Sequence, residues 1–501
     1  RVLAAASRKG RFALDSELKK QDFTPITIPE GYKGIPSELL TGLEERLETI
    51  DQELADIGEQ KSALKKQYTK TLRDLTASYS MASAVEALKG QLRSTNSAYV
   101  LSGWVPADKV DTAVEDLEQL TGGRVAVLSY NPDEVEDVRE GKEKVPVSLR
   151  HGSFVRGFEG VVFSYGAPLY GTIDPTPFVA FFFALLFGIM FGDLGQGFVL
   201  FLLGFLAGKH GLPFFARFRK YSTPLIAVGI ASMVMGLLDG EVFANEHLLV
   251  QPTRAVTEFL TGKPMDRIIS LMPEKGSIDK LFIFFGFTIA VGAILNSIGL
   301  VINIINQCSL KRYDKAFFAK TGLAGTFFFW YAIFIAVRII LGGHFFWADL
   351  IGLILPVALI FFGPALWRLI SGQRPVLEHG FMVFFMEGFV EILETASTYV
   401  SNTVSFLRVG AFALSHAVLS FIVFTMIEMV SGIPGGSVFS LIVAVIGNGI
   451  IIVLEGMIVA IQVVRLQYYE FFSKFFTETG VEFNPFRFRK NMDEEAVRKS
   501  G

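Results

Sequence analysis

Only one cysteine, Cys308, occurs among 501 residues. That excludes an intrachain disulfide and leaves no basis for a cysteine zinc site or thiol redox chemistry. Charge is scarce as well: 19% of residues are Asp, Glu, Lys or Arg, with a formal net charge of -3 and a pI near 6.2. Neither a nucleic acid nor a bulk acidic partner suits that balance. No phosphate-binding loop of the G-x-x-x-x-G-K-[ST] type is present, so nucleotide hydrolysis is not expected on this chain, and neither a cofactor nor a metal site is expected. A charged-then-apolar leader is missing too. Arg1 enters directly what reads as the middle of a soluble domain, and an N-terminal truncation is expected.

What the chain has in abundance is apolar surface: 51% hydrophobic and 13% aromatic residues, with a mean hydropathy of +0.44. This is the composition of an integral membrane protein. Most of the charge lies before residue 150. There, Leu43, Leu47, Ile50, Leu54, Ile57, Leu64, Tyr68, Leu72 and Leu75 recur in steps of mostly three and four, with Pro36 and Ser37 suited to a helix start. The spacing predicts a coiled-coil hairpin arm over 36–94, weakened locally by Lys61; an amphipathic helix packed on its own domain fits the pattern equally. YVLSGWVP (Tyr99 to Pro106), a helical stretch to about Leu120 and RVAVLSY (Arg124 to Tyr130) predict strand, helix, strand, hence a small α/β lobe.

From Asp174 onward, long apolar runs are punctuated by glycine. Eight spans are expected, near 175–192, 194–208, 221–240, 281–307, 319–342, 346–370, 380–431 and 437–477. Asp174 with Pro175, or Thr176 with Pro177, caps the first. The first two are short for a bilayer that needs about 20 residues, so the break at FGDLGQG (Phe191 to Gly197) is expected at membrane depth. Basic residues cluster after spans two, four and six (Lys209, Arg217, Arg219, Lys220; Lys311, Arg312, Lys315, Lys320; Arg368, Arg374) and in the tail (Arg487, Arg489, Lys490). The loops after spans five and seven have none, so both termini are expected in the cytoplasm. The connection from about Leu238 to Lys280 then folds on the outer side. Short outer loops favour a prokaryotic plasma membrane.

Two arginines stand in the last apolar runs. An arginine at the centre of a bilayer helix is disfavoured by roughly 2.5 to 3.5 kcal/mol on insertion scales, and so expensive a side chain marks a wet cavity or an ion pathway. Arg408 sits in SFLRVGAFALSH and Arg465 in LEGMIVAIQVVRLQYYE. Phe381 to Val430 has no proline and as one helix would run about 75 Å against a hydrocarbon core of about 30 Å. Glu387, Glu391, Glu394, Thr398, Ser401, Ser405 and Arg408 follow one another at helical spacing on one face, with Asn402 beside it and Ser415 and His416 beyond. Asn448, Glu455, Gln462 and Arg465 share a face of the last span. Counted back from the uncharged loop between the two spans, the arginines differ in depth by about 7.5 Å, within side-chain reach.

A guanidinium cannot relay protons, but it favours the ionised form of a carboxyl that passes it, lowering that pKa by about 1 to 3 units at about 4 to 6 Å. A mobile carboxylate passing Arg408 therefore releases its cation. No glutamate of this chain needs to travel, so the moving carboxylate is expected on another protein. The competing reading is a buried ion-pair network, Arg408 and Arg465 neutralised by Glu394 and Glu455. Against it stand the many small polar groups extending to both sides.

These motifs carry a resemblance. GWVP, IDPTPF (Ile173 to Phe178), FGDLGQG, SFLRVGAFALSH, and VLEG to RLQYYEFFSKFF (Val453 to Phe476) occur in the order found in membrane subunit a, or subunit I, of V-type and archaeal-type rotary ATPases, which the chain resembles over nearly its whole length. The resemblance implies a mainly α, polytopic membrane helix bundle, with two long tilted C-terminal helices beside a proteolipid c/K ring of small subunits, each with an essential carboxylate. It implies that Arg408 is the stator arginine and Arg465 its partner. By the same resemblance Glu394, His416, Glu455 and Glu470 line half-channels, to which the polar series adds Glu387, Glu391, Ser405 and Gln462. Asp193 is a possible member, with a capped helix break as the alternative. Trp104 is assigned to lobe packing. Peripheral stalk subunits and the central-stalk cap would contact an arm over 1–150, joined by a linker over 151–173 to a translocating domain over 174–482 and a tail over 483–501. The implied function is the non-catalytic stator that couples ATP hydrolysis or synthesis to proton or sodium translocation. A self-contained secondary transporter is the main rival, although the paired internal repeats common in such proteins are not seen; a coiled-coil membrane scaffold would leave the arginines idle.

Overall fold

The computed structural model describes residues 7, 9–20, 36–90, 92–95, 98–208, 218–243, 245, 250, 251, 253, 254, 258, 278–372, 375, 380–432, 436–476 and 479–485. Lys209, Arg217, Arg374, Arg487, Arg489 and Lys490, most of the connection after Leu238, and part of the loop after span seven lie outside them, so the charge argument for orientation rests on sequence alone at those positions. The contacts divide the chain into two units, residues 1–103 with 485–501, and residues 104–484.

In the first unit, α1 (Arg11–Lys20) precedes α2 (Pro36–Lys89), and β1 (Arg93–Ser94) pairs antiparallel with β2 (Tyr99–Val100). The hairpin expected within 36–94 is instead one 54-residue helix. No proline follows Pro36 in it, and Gly42 and Gly58 each weaken a helix by only about 1 kcal/mol without turning it. The apolar seam from Leu43 to Leu75 is 40 to 64% exposed, and no described helix covers it.

The second unit begins with Trp104, whose Nε1 donates to Glu143 Oε1 at 2.8 Å. α3 (Val110–Thr121) ends at Gly122, whose φ of +61° lets the chain leave the helix. Arg150 donates a bidentate pair to Asp108 at 2.8 and 2.6 Å, which holds Asp108 below the usual carboxylate range. Residues 124–130 make no ladder: among the described residues no strand lies beside them, and a strand without a neighbour leaves its backbone to water. β3 (Pro146–Val147) pairs in parallel with β4 (Val481–Glu482), so the chain returns here after its last helix.

Eight apolar helices follow: α4 (Thr176–Met190), α5 (Leu194–Ala207), α6 (Ser222–Asp239), α7 (Ile278–Ser309), α8 (Leu323–Ile340), α9 (Trp347–Ile370), α10 (Phe381–Ser431) and α11 (Gly436–Phe475). Six of these regions are long and apolar enough to cross a membrane; α4 and α5 are shorter. The chain is an integral membrane protein with a mainly α, polytopic bundle. Asp174 Oδ1 accepts from the Thr176 N–H and hydroxyl at 2.9 and 2.7 Å and opens α4. The chain reverses at Phe191–Asp193, and α4 and α5 pack on α6 rather than on one another. Ser232 of α6 donates to the carbonyls of Phe191 and Asp193, and the Leu194 N–H donates to Glu241 O at 3.0 Å, so the backbone of the turn is satisfied although buried. Glycines let α5 and α6 approach. A Cβ at Gly236 would lie 2.2 Å from the Leu194 nitrogen, and one at Gly229 2.5 Å from the Phe201 nitrogen.

Ahead of α4, His151 bridges two carboxylates, with Nδ1 donating to Glu159 Oε1 at 2.8 Å and Nε2 to Asp174. Burial alone pulls the imidazole down, but the hydrogen bonds and charges of Glu159 and Asp174 outweigh it and hold the pKa above 6.5. A raised folded pKa means that the bridge stabilises fully below the unfolded value of about 6.5 and is lost as pH rises through the folded one. The difference in thermal midpoint between the native chain and His151→Gln is therefore expected to shrink as pH rises from about 6. Differential scanning fluorimetry in detergent checks this; a gap that is constant or widens with pH contradicts it.

Candidate functional site

Along α10, the face bearing Glu387, Glu391, Glu394, Thr398, Ser401, Ser405 and Arg408 is half-buried to exposed, while Asn402, His416 and Ser420 on the neighbouring stripe are buried. Phenylalanine and aliphatic side chains fill the rest. The helix runs unbroken because nothing between Phe381 and Ser431 removes a backbone donor. The face is therefore carried past the centre of the bundle on one rigid element.

α11 is less regular. Wide π turns occupy Ile451–Glu455 and Gln467–Phe472. Such turns add residues to a turn and rotate the remainder of the helix about its axis, and they recur at functional sites. Asn448 and Glu455 are buried, Gln462 is half-buried and Arg465 is exposed.

Arg408 is half-buried, and its Nη1 has no hydrogen-bond partner among the described residues. Its electrostatic neighbours are Arg465 and Glu470, so the two guanidinium groups stand within electrostatic range of one another. Glu470 is 3% exposed, stands against the Ser405 hydroxyl, and is within range of Arg408, Arg465 and Lys474. Lys474 is buried and lies 5.2 Å from the Tyr399 ring centroid, a cation–π contact. One carboxylate thus stands among three cationic side chains.

The competing ion-pair reading put Glu394 and Glu455 on the arginines, and the structure places both elsewhere. Glu394 pairs with Lys320 at 2.5 Å, beside Glu387 and Glu391 in an open, shallow cavity. Glu455 Oε2 accepts from His416 Nδ1 at 2.8 Å, with both side chains buried. Around His416 stand two further carboxylates, Asp193 and Glu241. Asp193 is both the cap of α5, accepting from the Gln196 N–H at 2.8 Å and the Phe243 N–H at 3.0 Å, and a member of this cluster. Asp193 thus has the cap geometry of the helix-break reading and also stands beside His416. Gln196 reaches across to Asn448 at 2.9 Å, tying α5 to α11.

Measured along α10, Glu394 lies about 21 Å before Arg408 and His416 about 12 Å after it, at 1.5 Å per residue. Polar groups thus form two separate clusters with Arg408 between them, and one side of Arg408 is supplied by α5, the segment after α6, and α11 together. Sequence reasoning missed Glu241, Lys320 and Lys474. Lys474 carries a signal, four residues after Glu470 on a helix. Lys320 and Glu241 carry none, because charge at or just beyond a span end is ordinary.

The sequence profile of the V-type ATPase 116kDa subunit family matches residues 33–210 and 372–488, together more than half of the chain. Among curated proteins, "V-type ATP synthase subunit I 2" of Treponema pallidum (strain Nichols) is 44% identical over 251 residues, covering 50% of this chain and 55% of that one. "A-type ATP synthase subunit I" of Pyrococcus horikoshii is 24% identical over 504 residues, covering 98% and 69%. The protein of the same description from Aeropyrum pernix is 26% identical over 525 residues, covering 97% and 71%.

Proposed function

From the premise that this chain belongs to the V-type ATPase 116kDa subunit family, we propose that it is the stationary ion-translocating subunit of a rotary ATPase, forming two half-channels beside a proteolipid ring. Its relatives are V-type and A-type ATP synthase subunits I, and the chain carries the membrane helices such a subunit needs. One observation supports the finer reading most: two polar clusters flank Arg408, and the arginine has a buried donor with no partner among the described residues. An ion enters through one cluster, loads a ring carboxylate, travels with the ring, and is released when that carboxylate meets Arg408 and Arg465. The first cluster comprises Glu387, Glu391 and Glu394, and the second His416, Glu455, Asp193 and Glu241. Gln462 and Ser405 extend the polar path near the arginines, and Glu470 partly offsets their charge. Ring turning couples this passage to ATP hydrolysis or synthesis on other subunits, with peripheral stalk subunits and the central-stalk cap on the arm. Both termini lie in the cytoplasm of a prokaryotic plasma membrane.

Cross-linking tests the ring. Ile461 is 57% exposed and lies one helical turn before Arg465. In a Cys308→Ser background, Ile461→Cys is expected to form a disulfide with a cysteine placed beside the membrane carboxylate of a small proteolipid in the assembled complex. Phe205→Cys, 62% exposed on α5, is the control expected to give none. No product from Ile461→Cys or from Met457→Cys removes the ring from this face. Ion flux by the purified chain alone in liposomes would assign it self-contained transport instead.

A further inference from the structure

We propose that Asp193, Glu241 and His416 form a binding site for one divalent first-row transition-metal cation, with Glu455 holding the histidine from behind. The three residues offer ligand atoms that all lie within 4.8 Å of one another. Ligands of a tetrahedral ion at about 2.1 Å stand about 3.4 Å apart, so side-chain adjustments on the order of an ångström close the shell. Asp193, Glu241, His416 and Glu455 are 0, 3, 0 and 5% exposed. A dication placed among these carboxylates and the imidazole would bring positive charge with directed bonds into a volume withdrawn from water.

An independent observation concerns His416. Its Nδ1 is engaged by Glu455 at 2.8 Å, while Nε2 is fully buried with no hydrogen-bond partner among the described residues. A carboxylate on one ring nitrogen fixes the tautomer and leaves the other nitrogen's lone pair for a cation, the outer-shell arrangement that orients metal-ligating histidines. Asp193 is held by two backbone N–H groups, from Gln196 and Phe243, so the site has little freedom to lose on binding. The mixed nitrogen and oxygen donor set suits zinc and its neighbours and lacks the soft sulfur that would select copper(I). No metal-ligand spacing is legible in the sequence, because the three residues come from the start of α5, the segment after α6, and α10. The site uses residues of the second polar cluster, but its test reads metal binding directly and does not depend on ion translocation.

The full chain in detergent, stripped with a chelator and dialysed against Zn2+ alone near neutral pH, is expected to retain one equivalent. Glu241→Gln is expected to weaken that binding at least about tenfold. X-ray absorption at the zinc edge of the unmodified chain is expected to show only nitrogen and oxygen neighbours, one of them an imidazole. It decides the matter even where the variant fails to fold. Absence of a retained equivalent, undiminished binding by folded Glu241→Gln, or a sulfur neighbour from Cys308 overturns the site.

Discussion

Arg408→Ala, in the assembled complex reconstituted into vesicles, is expected to lower ATP-driven ion uptake by about 10- to 1,000-fold. The range follows from the charge that is lost. A guanidinium within about 4 to 6 Å depresses a carboxyl pKa by about 1 to 3 units, and each unit is a factor of ten in the ionised fraction. Without it the ring carboxylate passes the stator still loaded, and rotation carries the ion around instead of across. Arg408→Lys is expected to fail comparably, although the formal charge is kept. An ammonium is a compact, strongly hydrated point charge without the planar fork, and it shifts its pKa readily when buried, so it both releases the cargo poorly and opens a leak. Assembly is expected to survive in both, because Arg408 Nη1 has no hydrogen-bond partner among the described residues. Normal uptake by either variant removes Arg408 from the mechanism.

Glu455 separates transport from stability. The Glu455–His416 pair is buried, and removing one partner of such a pair costs about 3 to 5 kcal/mol because the other is left uncompensated. Glu455→Ala is expected to lower both the thermal midpoint and ion uptake. Glu455→Gln retains a carbonyl oxygen to accept from His416 Nδ1, so its loss of stability is expected near 1 kcal/mol, the scale of one hydrogen bond. It no longer takes up and gives back a proton, and removal of a positioned relay group costs about 100-fold or more in rate. Uptake lost with the midpoint nearly unchanged is thus the result that places Glu455 on the path. A glutamine variant that pumps as well as the native chain leaves Glu455 a structural partner only.

How much of this was legible in the sequence depends on whether a residue's role is local. Arg408, Arg465, His416 and Glu455 stand out because charge within an apolar run is costly wherever the run ends up. The spans are legible for the same reason, and α4 and α5 are short as their length foretells. The pairings were not legible. Glu394 finds Lys320, and Glu455 finds His416, through helix packing that spacing along one chain does not encode. The wide turn at Ile451–Glu455 interrupts the 3.6-residue period between Asn448 and the residues that follow it, on which a shared face with Glu455, Gln462 and Arg465 was argued. The seam of α2 was correctly apolar but gave no sign of where a reversal lies, since coiled-coil periodicity is the same in one long helix as in two. RVAVLSY has the composition of a strand, and composition supplies no neighbour.

The fold-back of α4 and α5 has a consequence for the lipid. Their 15 and 14 residues reach about 22 and 21 Å, against about 30 Å of hydrocarbon. A hairpin that falls several ångströms short creates a hydrophobic mismatch at its tip, which the membrane relieves by thinning or by admitting a cup of water. The tip is Phe191–Asp193, where irregular backbone is tolerated because protein encloses it. On the proposed path, ions arriving on that side would meet Asp193, Glu241 and His416 after crossing less than a full leaflet of oil.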